Sequence, residues 1–303
     1  MIKIKKYAAI DIGSNAMRLL IANVIEEEHK PTQFNKSHLI RVPIRLGQDA
    51  FTVGEITEEN AERMVKAMKA FKLLMEVYQV EKYAACATSA MREAYNGQEL
   101  AQLIAKKAGI KIDIIDGKTE AAIIANSDLA SYIKKEGHYL YVDVGGGSTE
   151  FTLFSNGKQT VSKSFKNGTV RLLNNMVTDS VWTEIEKWIK THTQDLGVVD
   201  IIGSGGNINK IFKMSGKTND KPLTQLYLNQ QFKYLSTLSY EDRIYMLGLN
   251  TDRADVIIPA IKIYVNAMKW SNAKHIYVPK IGLSDGIVKA MYFQNTKIKV
   301  HKI

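Results

Sequence analysis

The sequence predicts an α/β protein in which one unit of strands and helices occurs twice. Three observations carry this. Short β-rich apolar runs alternate with amphipathic helical patterns along most of the 303 residues, the mark of strands joined by helices. An Asp-[Ile or Val]-Gly turn between two strands appears at Asp11-Ile-Gly-Ser14 and again at Asp143-Val-Gly-Gly146. The length is about twice a typical domain of ~150 residues. The expected domains are 1–125 and 126–285, with a closing helix from about 286 to 303 packing back on the first. No Pro-, Gly- or Ser-rich linker separates them, so the hinge is expected at a helix start near 125–129.

In the first copy, strands at 7–10 and 19–24 flank a polar turn, and 36–45 gives a third strand. Thr57-Glu-Glu-Asn60 supplies an N-cap and an acidic first turn. The helix it opens shows Met64, Met68, Phe71, Leu74, Met75 and Tyr78 at helical spacing. A strand at 82–88 holds Cys86 in an apolar run, read as core. A helix at 98–107, a strand at 111–115 and a helix at 119–133 follow. The second copy starts with strands at 138–143, 150–154 and 158–165, the last two joined by Ser155-Asn-Gly157, a hairpin turn. Then come a helix at 180–192, a strand at 198–202, and Gly203-Ser-Gly-Gly-Asn207 leading into a helix. More helix runs to Trp270, with a strand at 274–278, a helix at 284–294 and a solvated basic tail over 297–302.

With 45% hydrophobic and 24% charged residues and 5 Pro, the composition excludes collagen-like and disordered classes. No apolar stretch approaches the ~18 residues of a membrane span, and the apolar run at 7–10 falls short of a signal-peptide core of ~7–15. The chain therefore reads as cytoplasmic. One cysteine excludes an internal disulfide and a cysteine-rich metal site, and the six His show no ligand spacing for zinc. The net charge of +10 suits an anionic partner. Nucleic acid, a membrane surface, a polyphosphate, or simply solvated lysines all fit that excess.

The motifs narrow this. Gly13 lets the backbone turn and approach a ligand closely. The neighbouring amides, the Ser14 hydroxyl and the Asn15 side chain can donate to phosphate oxygens. Gly145, Gly146, Gly147 and Ser148 form a stronger version, since three glycines weaken flanking strands unless something must come close. Two such loops suit the two sides of a phosphate chain. Gly205, Gly206 and Asn207 lie at a strand-to-helix junction, which is either an anion site or a close packing turn. Asp143 and Glu150 are oxygen donors of the kind Mg²⁺ takes, and Asp11 matches Asp143 in the first half. Glu120 fits two readings, a site carboxylate or a favourable acid at a helix N-terminus. Arg18, Arg92 and Arg171 each follow a strand end and suit phosphate or a surface ion pair.

The ordered set Asp11-Ile-Gly-Ser-Asn-Ala-Met-Arg-Leu19, Thr88-Ser-Ala-Met-Arg-Glu-Ala94, Gly117-Lys-Thr-Glu-Ala121, Asp143-Val-Gly-Gly-Gly-Ser-Thr-Glu150 and Gly203-Ser-Gly-Gly-Asn207 closely resembles the exopolyphosphatase / guanosine pentaphosphate phosphatase family. Asp252-Arg-Ala-Asp255 resembles a further segment of it. The resemblance implies two ribonuclease H-like (actin-like) domains with a cleft between them. It implies a cytoplasmic homodimer that hydrolyses the terminal phosphate of inorganic polyphosphate, with no nucleic-acid or membrane partner; guanosine pentaphosphate is the alternative substrate, and a non-catalytic phosphate or nucleotide sensor of actin-like fold the second alternative. It makes Glu120 the carboxylate that activates water and puts Asp143 and Glu150 around Mg²⁺. It makes Gly13, Ser14, Asn15, Gly145, Gly146, Gly147 and Ser148 phosphate-binding, with Arg92 a substrate-binding cation. One departure stands out: Gly282-Leu-Ser-Asp-Gly286 occupies the place of the family's usual Gly-Leu-Arg-Glu-Gly.

Overall fold

The computed structural model describes residues 1–125, 127, 129–218, 221–294 and 298–303. It divides into two compact units, one made of Met1–Asp128 and Gly282–Ile303, the other of Leu129–Ile281. These limits differ by a few residues from 125/126 and 285/286. Residues 126 and 128 of the expected hinge, and residue 297 of the expected tail, lie outside the described residues.

The strands in chain order are β1 (Ile2–Ile12), β2 (Met17–Glu27), β3 (Gln33–Val42), β4 (Lys82–Ala87), β5 (Asp113–Ile114), β6 (His138–Val144), β7 (Thr149–Ser155), β8 (Lys158–Phe165), β9 (Val199–Ser204), β10 (Leu223–Thr224), β11 (His275–Tyr277) and β12 (His301–Lys302). In the first unit the order is β12-β4-β1-β2-β3, with β5 also on β4. Strands β1, β2 and β3 are antiparallel, while β4 runs parallel to β1 and β5 parallel to β4. The second unit has the order β10-β11-β9-β6-β7-β8. There β6, β7 and β8 are antiparallel, β9 runs parallel to β6, and β11 parallel to β9. A three-stranded meander followed by two parallel strands on its other side is thus built twice. This is the ribonuclease H-like arrangement, and the fold is α/β as expected.

Local chemistry explains the elements. The β7–β8 turn places Asn156 at φ 52° and Gly157 at φ 78°, the left-handed pair a two-residue hairpin loop requires. Thr57 caps the helix Glu58–Val77 through the Asn60 amide. Asp49, itself buried, takes the Thr57 amide and hydroxyl at 3.0 and 2.7 Å. Met64, Met68, Phe71 and Met75 of that helix are buried, as is Cys86. Tyr264, on helix Ile257–Trp270, is fully buried in the core of the second unit, with its hydroxyl donating to the Ser204 carbonyl.

Three expectations need correction, and one short helix was not anticipated. The closing helix expected over about 286–303 is Leu283–Phe293, followed by a short strand at His301–Lys302. The helix expected over 119–133 is two helices, Gly117–Ala125 and Leu129–Tyr132, with the Ser127 amide closing a turn on the Ile124 carbonyl at 2.9 Å. A short helix at Thr169–Leu173 carries too few residues for a periodic signal. The basic tail does not stay in solvent. Lys302 and His301 pair with Lys82 and Tyr83 of β4, Ile298 is buried, and the Lys299 amide donates to Asp113 at 2.9 Å. β5 pairs only with Cys86 and Ala87, so the first half of β4 would otherwise be an open edge. The tail closes it.

Candidate functional site

The two turns singled out by sequence have one geometry. In the first unit the Gly13 amide donates to the Ala16 carbonyl at 3.2 Å; in the second, the Gly145 amide donates to the Ser148 carbonyl at 3.0 Å. A Cβ on Gly13 would lie 3.3 Å from the Ala16 oxygen, and one on Gly145 3.1 Å from the Ser148 oxygen. A side chain at either site would press on that oxygen by a few tenths of an ångström. Neither Gly13 nor any of Gly145, Gly146 and Gly147 has a left-handed backbone.

What stands opposite the leading aspartate differs between the units. Asp11 on β1 faces Arg18 on β2, and their side chains pair at 2.7 Å. Asp143 on β6 faces Glu150 on β7. Glu150 is buried, with its Oε1 accepting from the Ser148 hydroxyl at 2.6 Å and the Ser164 hydroxyl at 2.7 Å. The first turn thus carries its own cation, while the second sets two carboxylates side by side. Two carboxylates set opposite one another are oxygen donors of the kind a hard divalent cation takes.

In the first unit, the turn, Arg92 and the Glu120 helix are tied together. The Ser14 hydroxyl shares a hydrogen bond with the Ser89 hydroxyl at 2.9 Å, on the helix Ser89–Glu93 that also carries Arg92. Arg92 Nη1 donates to the Ile115 carbonyl at 2.8 Å. Asp116 then caps helix Gly117–Ala125 by accepting the Thr119 amide at 2.7 Å. That bond holds the Asp116 carboxyl below the usual range. Glu120 sits one turn into this helix, half-buried, with Oε2 out of contact with solvent. Burial pushes the Cys86 thiol far up, and the charges of Asp113, Asp11 and Glu120 add to the shift. Glu120 and Asp11 therefore act on the same small region of the first sheet.

Helix Leu283–Phe293 packs on the Glu120 helix at Gly286, where a Cβ would lie 2.2 Å from the Ile123 carbonyl oxygen. In the departure segment, Asp285 accepts the Gly282 amide at 3.0 Å and pairs with Lys36 of β3 at 2.8 Å. Ser284 is buried.

In the second unit, Tyr141 reaches Asp143 Oδ2 at 3.5 Å. Burial, with the Asp143 charge second, keeps the Tyr141 and Tyr264 phenols protonated. Gly205 opens the helix Gly206–Met214 at φ 122°, where a Cβ would lie 3.0 Å from the Val144 carbonyl. Its glycine is needed for backbone and space together. Gly206 and Asn207 form the first turn. Gly203 is a packing position: a Cβ there would meet Ile276 at 2.7 Å.

A family model described as the Ppx/GppA phosphatase family matches residues 25–294. The chain belongs to this family.

Among its relatives, the putative exopolyphosphatase of Haemophilus influenzae is 25% identical over 303 residues, covering 95% of this chain and 92% of that protein. A bifunctional 3-dehydroquinate synthase/phosphatase of Fusobacterium nucleatum is 33% identical over 203 residues, 62% of this chain; the match spans only 30% of that larger protein. The crystal structure of an exopolyphosphatase from Cytophaga hutchinsonii superposes with a TM-score of 0.84 at 24% identity, covering 96% of this chain and 98% of that one.

Among the described residues of this family member, no group of three or more His, Cys, Asp or Glu side chains could hold a metal unaided. The Asp143–Glu150 pair nevertheless fits a Mg²⁺ site. That ion is commonly held by one or two carboxylates and completed by water and phosphate oxygens. Asp11, the third residue expected near the metal, is engaged by Arg18. Arg171, read as a phosphate fork or a surface ion-pair partner, is buried and donates through Nε to the Gly147 carbonyl at 2.8 Å. Sequence reasoning missed Tyr141, Ser89 and Asn167. The Asn167 side chain is fully buried, and neither its oxygen nor its nitrogen has a partner among the described residues. Such an amide costs about 1–3 kcal/mol, and no sequence pattern announces it.

Proposed function

We propose that this chain is an exopolyphosphatase, removing the terminal phosphate of inorganic polyphosphate by attack of water. The observation that carries the reading is the Asp143–Glu150 carboxylate pair, set across neighbouring strands beside the Gly145–Ser148 turn. The family assignment supports hydrolysis of a phosphoric anhydride, and the similarity to exopolyphosphatases supports the polymer as substrate.

The bound divalent cation, Mg²⁺ in this reading, would neutralise phosphate charge and be held by Asp143 and Glu150. Ser148 and the amides of Gly146 and Gly147 would bind phosphate oxygens, as would Gly13, Ser14 and Asn15. Arg92 would add a cation to the substrate. Glu120 would orient a water molecule and accept its proton as the water oxygen attacks the terminal phosphorus. The bridging P–O bond breaks, orthophosphate leaves, and the chain is one phosphate shorter, its new terminal oxygen keeping the bond's electron pair. The proton passes from Glu120 to solvent. Gly205, Gly206 and Asn207 would steady the substrate at the start of their helix. The reading takes the enzyme to be a cytoplasmic homodimer, which light scattering on purified protein checks.

The experiment is release of orthophosphate from polyphosphate of defined length and from guanosine pentaphosphate, with and without Mg²⁺. Release from polyphosphate that depends on Mg²⁺ is expected. Release from guanosine pentaphosphate alone would replace the substrate while keeping the chemistry. Release from neither would overturn the reading.

A further inference from the structure

The carbonyl side of the Gly145–Ser148 turn is held by a separate segment. The Thr169 amide donates to the Gly145 carbonyl at 3.0 Å, the Val170 amide to the Gly146 carbonyl at 2.9 Å, and Arg171 Nε to the Gly147 carbonyl at 2.8 Å. Three successive carbonyls are thus drawn toward one short helix. The Thr149 hydroxyl donates to the Asn167 carbonyl at 2.5 Å, fixing the start of the same segment. Contact is flush: a Cβ on Gly168 would lie 2.2 Å from the Gly146 oxygen, although the Gly168 backbone, at φ −95° and ψ 166°, is one any residue adopts. That glycine is needed for closeness and nothing else.

The first unit repeats the device. The Gly47 amide donates to the Ser14 carbonyl at 2.7 Å and the Arg45 amide to the Asn15 carbonyl at 3.0 Å. A Cβ on Gly47 would meet the Ser14 side chain at 2.8 Å. There too, the segment entering the short helix that follows the third strand, Leu46–Thr52, backs the turn.

We infer that residues 167–171 are a brace that sets the direction of the Gly145–Ser148 amides, with Arg171 as a positioning residue and Gly168 as the contact that admits it. In a planar peptide the carbonyl and the following N–H point opposite ways. Drawing the carbonyls of Gly145, Gly146 and Gly147 to one side turns the amides of Gly146, Gly147 and Ser148 to the other, as a nest for an anion requires. The Gly147 carbonyl depends on a side chain, so the last amide of the nest depends on Arg171. The consequence for catalysis rests on the proposed function; the brace itself does not.

The test uses the full chain, Arg171→Ala and Arg171→Lys, and two readouts. Hydrogen exchange at the amides of Gly145, Thr169 and Val170 reports the brace without reference to activity. In Arg171→Ala these amides should exchange about tenfold faster, a local opening, while amides of β9 and the Gly13 turn stay at wild-type rates. Arg171→Lys, which keeps a donor, should lie between, and it serves alone if the alanine variant does not fold. Phosphate release should show KM for polyphosphate raised by up to about 10²-fold, with kcat falling less. Unchanged exchange at Gly145, Thr169 and Val170 would overturn the brace, as would equal acceleration in β9, which is general destabilisation. Wild-type protein that releases no phosphate, with the exchange result as expected, would sink the proposed function and leave the brace standing.

Discussion

Glu120 lies one turn into a short helix, where an acid is favourable without having any chemical task. Glu120→Gln separates the two roles because it keeps shape and removes the base. Turnover should fall by ~10²–10⁴, with the melting temperature within a degree or two of wild type and substrate binding retained. A variant with wild-type turnover and a lower melting temperature would give Glu120 back to the helix. The carboxylates and glycines of the two turns were legible in the sequence because their spacing is local: Asp, one residue, then Gly, at the end of an apolar run. The burial of Arg171 was not legible for the opposite reason. Whether an arginine after a strand faces solvent or the back of a loop is decided by residues 24 positions away, and Asn167 owes its cost to the same long-range packing.

At the scale of elements, the Glu120 helix is held at both ends of its function. Asp116 caps its start, and the helix Leu283–Phe293 lies against it through Gly286. Gly286→Ala must displace one helix from the other, since its Cβ would fall 2.2 Å from a backbone oxygen. A loss of about 1–3 kcal/mol in urea unfolding is expected, with turnover falling further than the folded fraction accounts for. Unchanged stability would mean that the helices have room. β12 adds a pH-dependent element. His301 packs its ring 5.3 Å from that of Tyr83, and burial lowers its imidazole below the ordinary value. As pH falls, the unfolded chain takes the proton first, at about pH 6.5. Its stabilising contribution is therefore full above that pH and is lost as pH falls toward the lowered folded value. The wild-type urea midpoint should drop between pH 7 and 5.5 by more than that of His301→Phe; equal drops would remove His301 from the account. Sequence patterning found the longer strands and the Asn156–Gly157 turn, whose signals are local, but read helix where β10 lies. It missed β12 because two basic residues carry no period, and their place is set by an open edge far away in the chain.

For the whole molecule, the internal repeat was the strongest signal, and both sheets bear it out in strand order and direction. What the repeat hid is how the copies diverge: Arg18 stands where Glu150 stands in the other copy, and only register shows it. The net charge of +10 belongs to this scale too. If it serves a polyanion, affinity for long polyphosphate should weaken more steeply with salt than affinity for tripolyphosphate. Equal slopes would mean that the basic surface is not a polymer track. The central claim is that hydrolysis requires both the Asp143–Glu150 carboxylate pair and Glu120. The most direct measurement is orthophosphate release from polyphosphate of defined length by wild type, Asp143→Asn, Glu120→Gln and the double variant, across a Mg²⁺ titration. The account predicts Mg²⁺-dependent release by wild type, a raised Mg²⁺ requirement in Asp143→Asn, a low rate with unchanged Mg²⁺ requirement in Glu120→Gln, and a double variant less impaired than the two single losses multiplied. Single losses that multiply fully, or wild-type protein that leaves polyphosphate intact at every Mg²⁺ concentration, would contradict it.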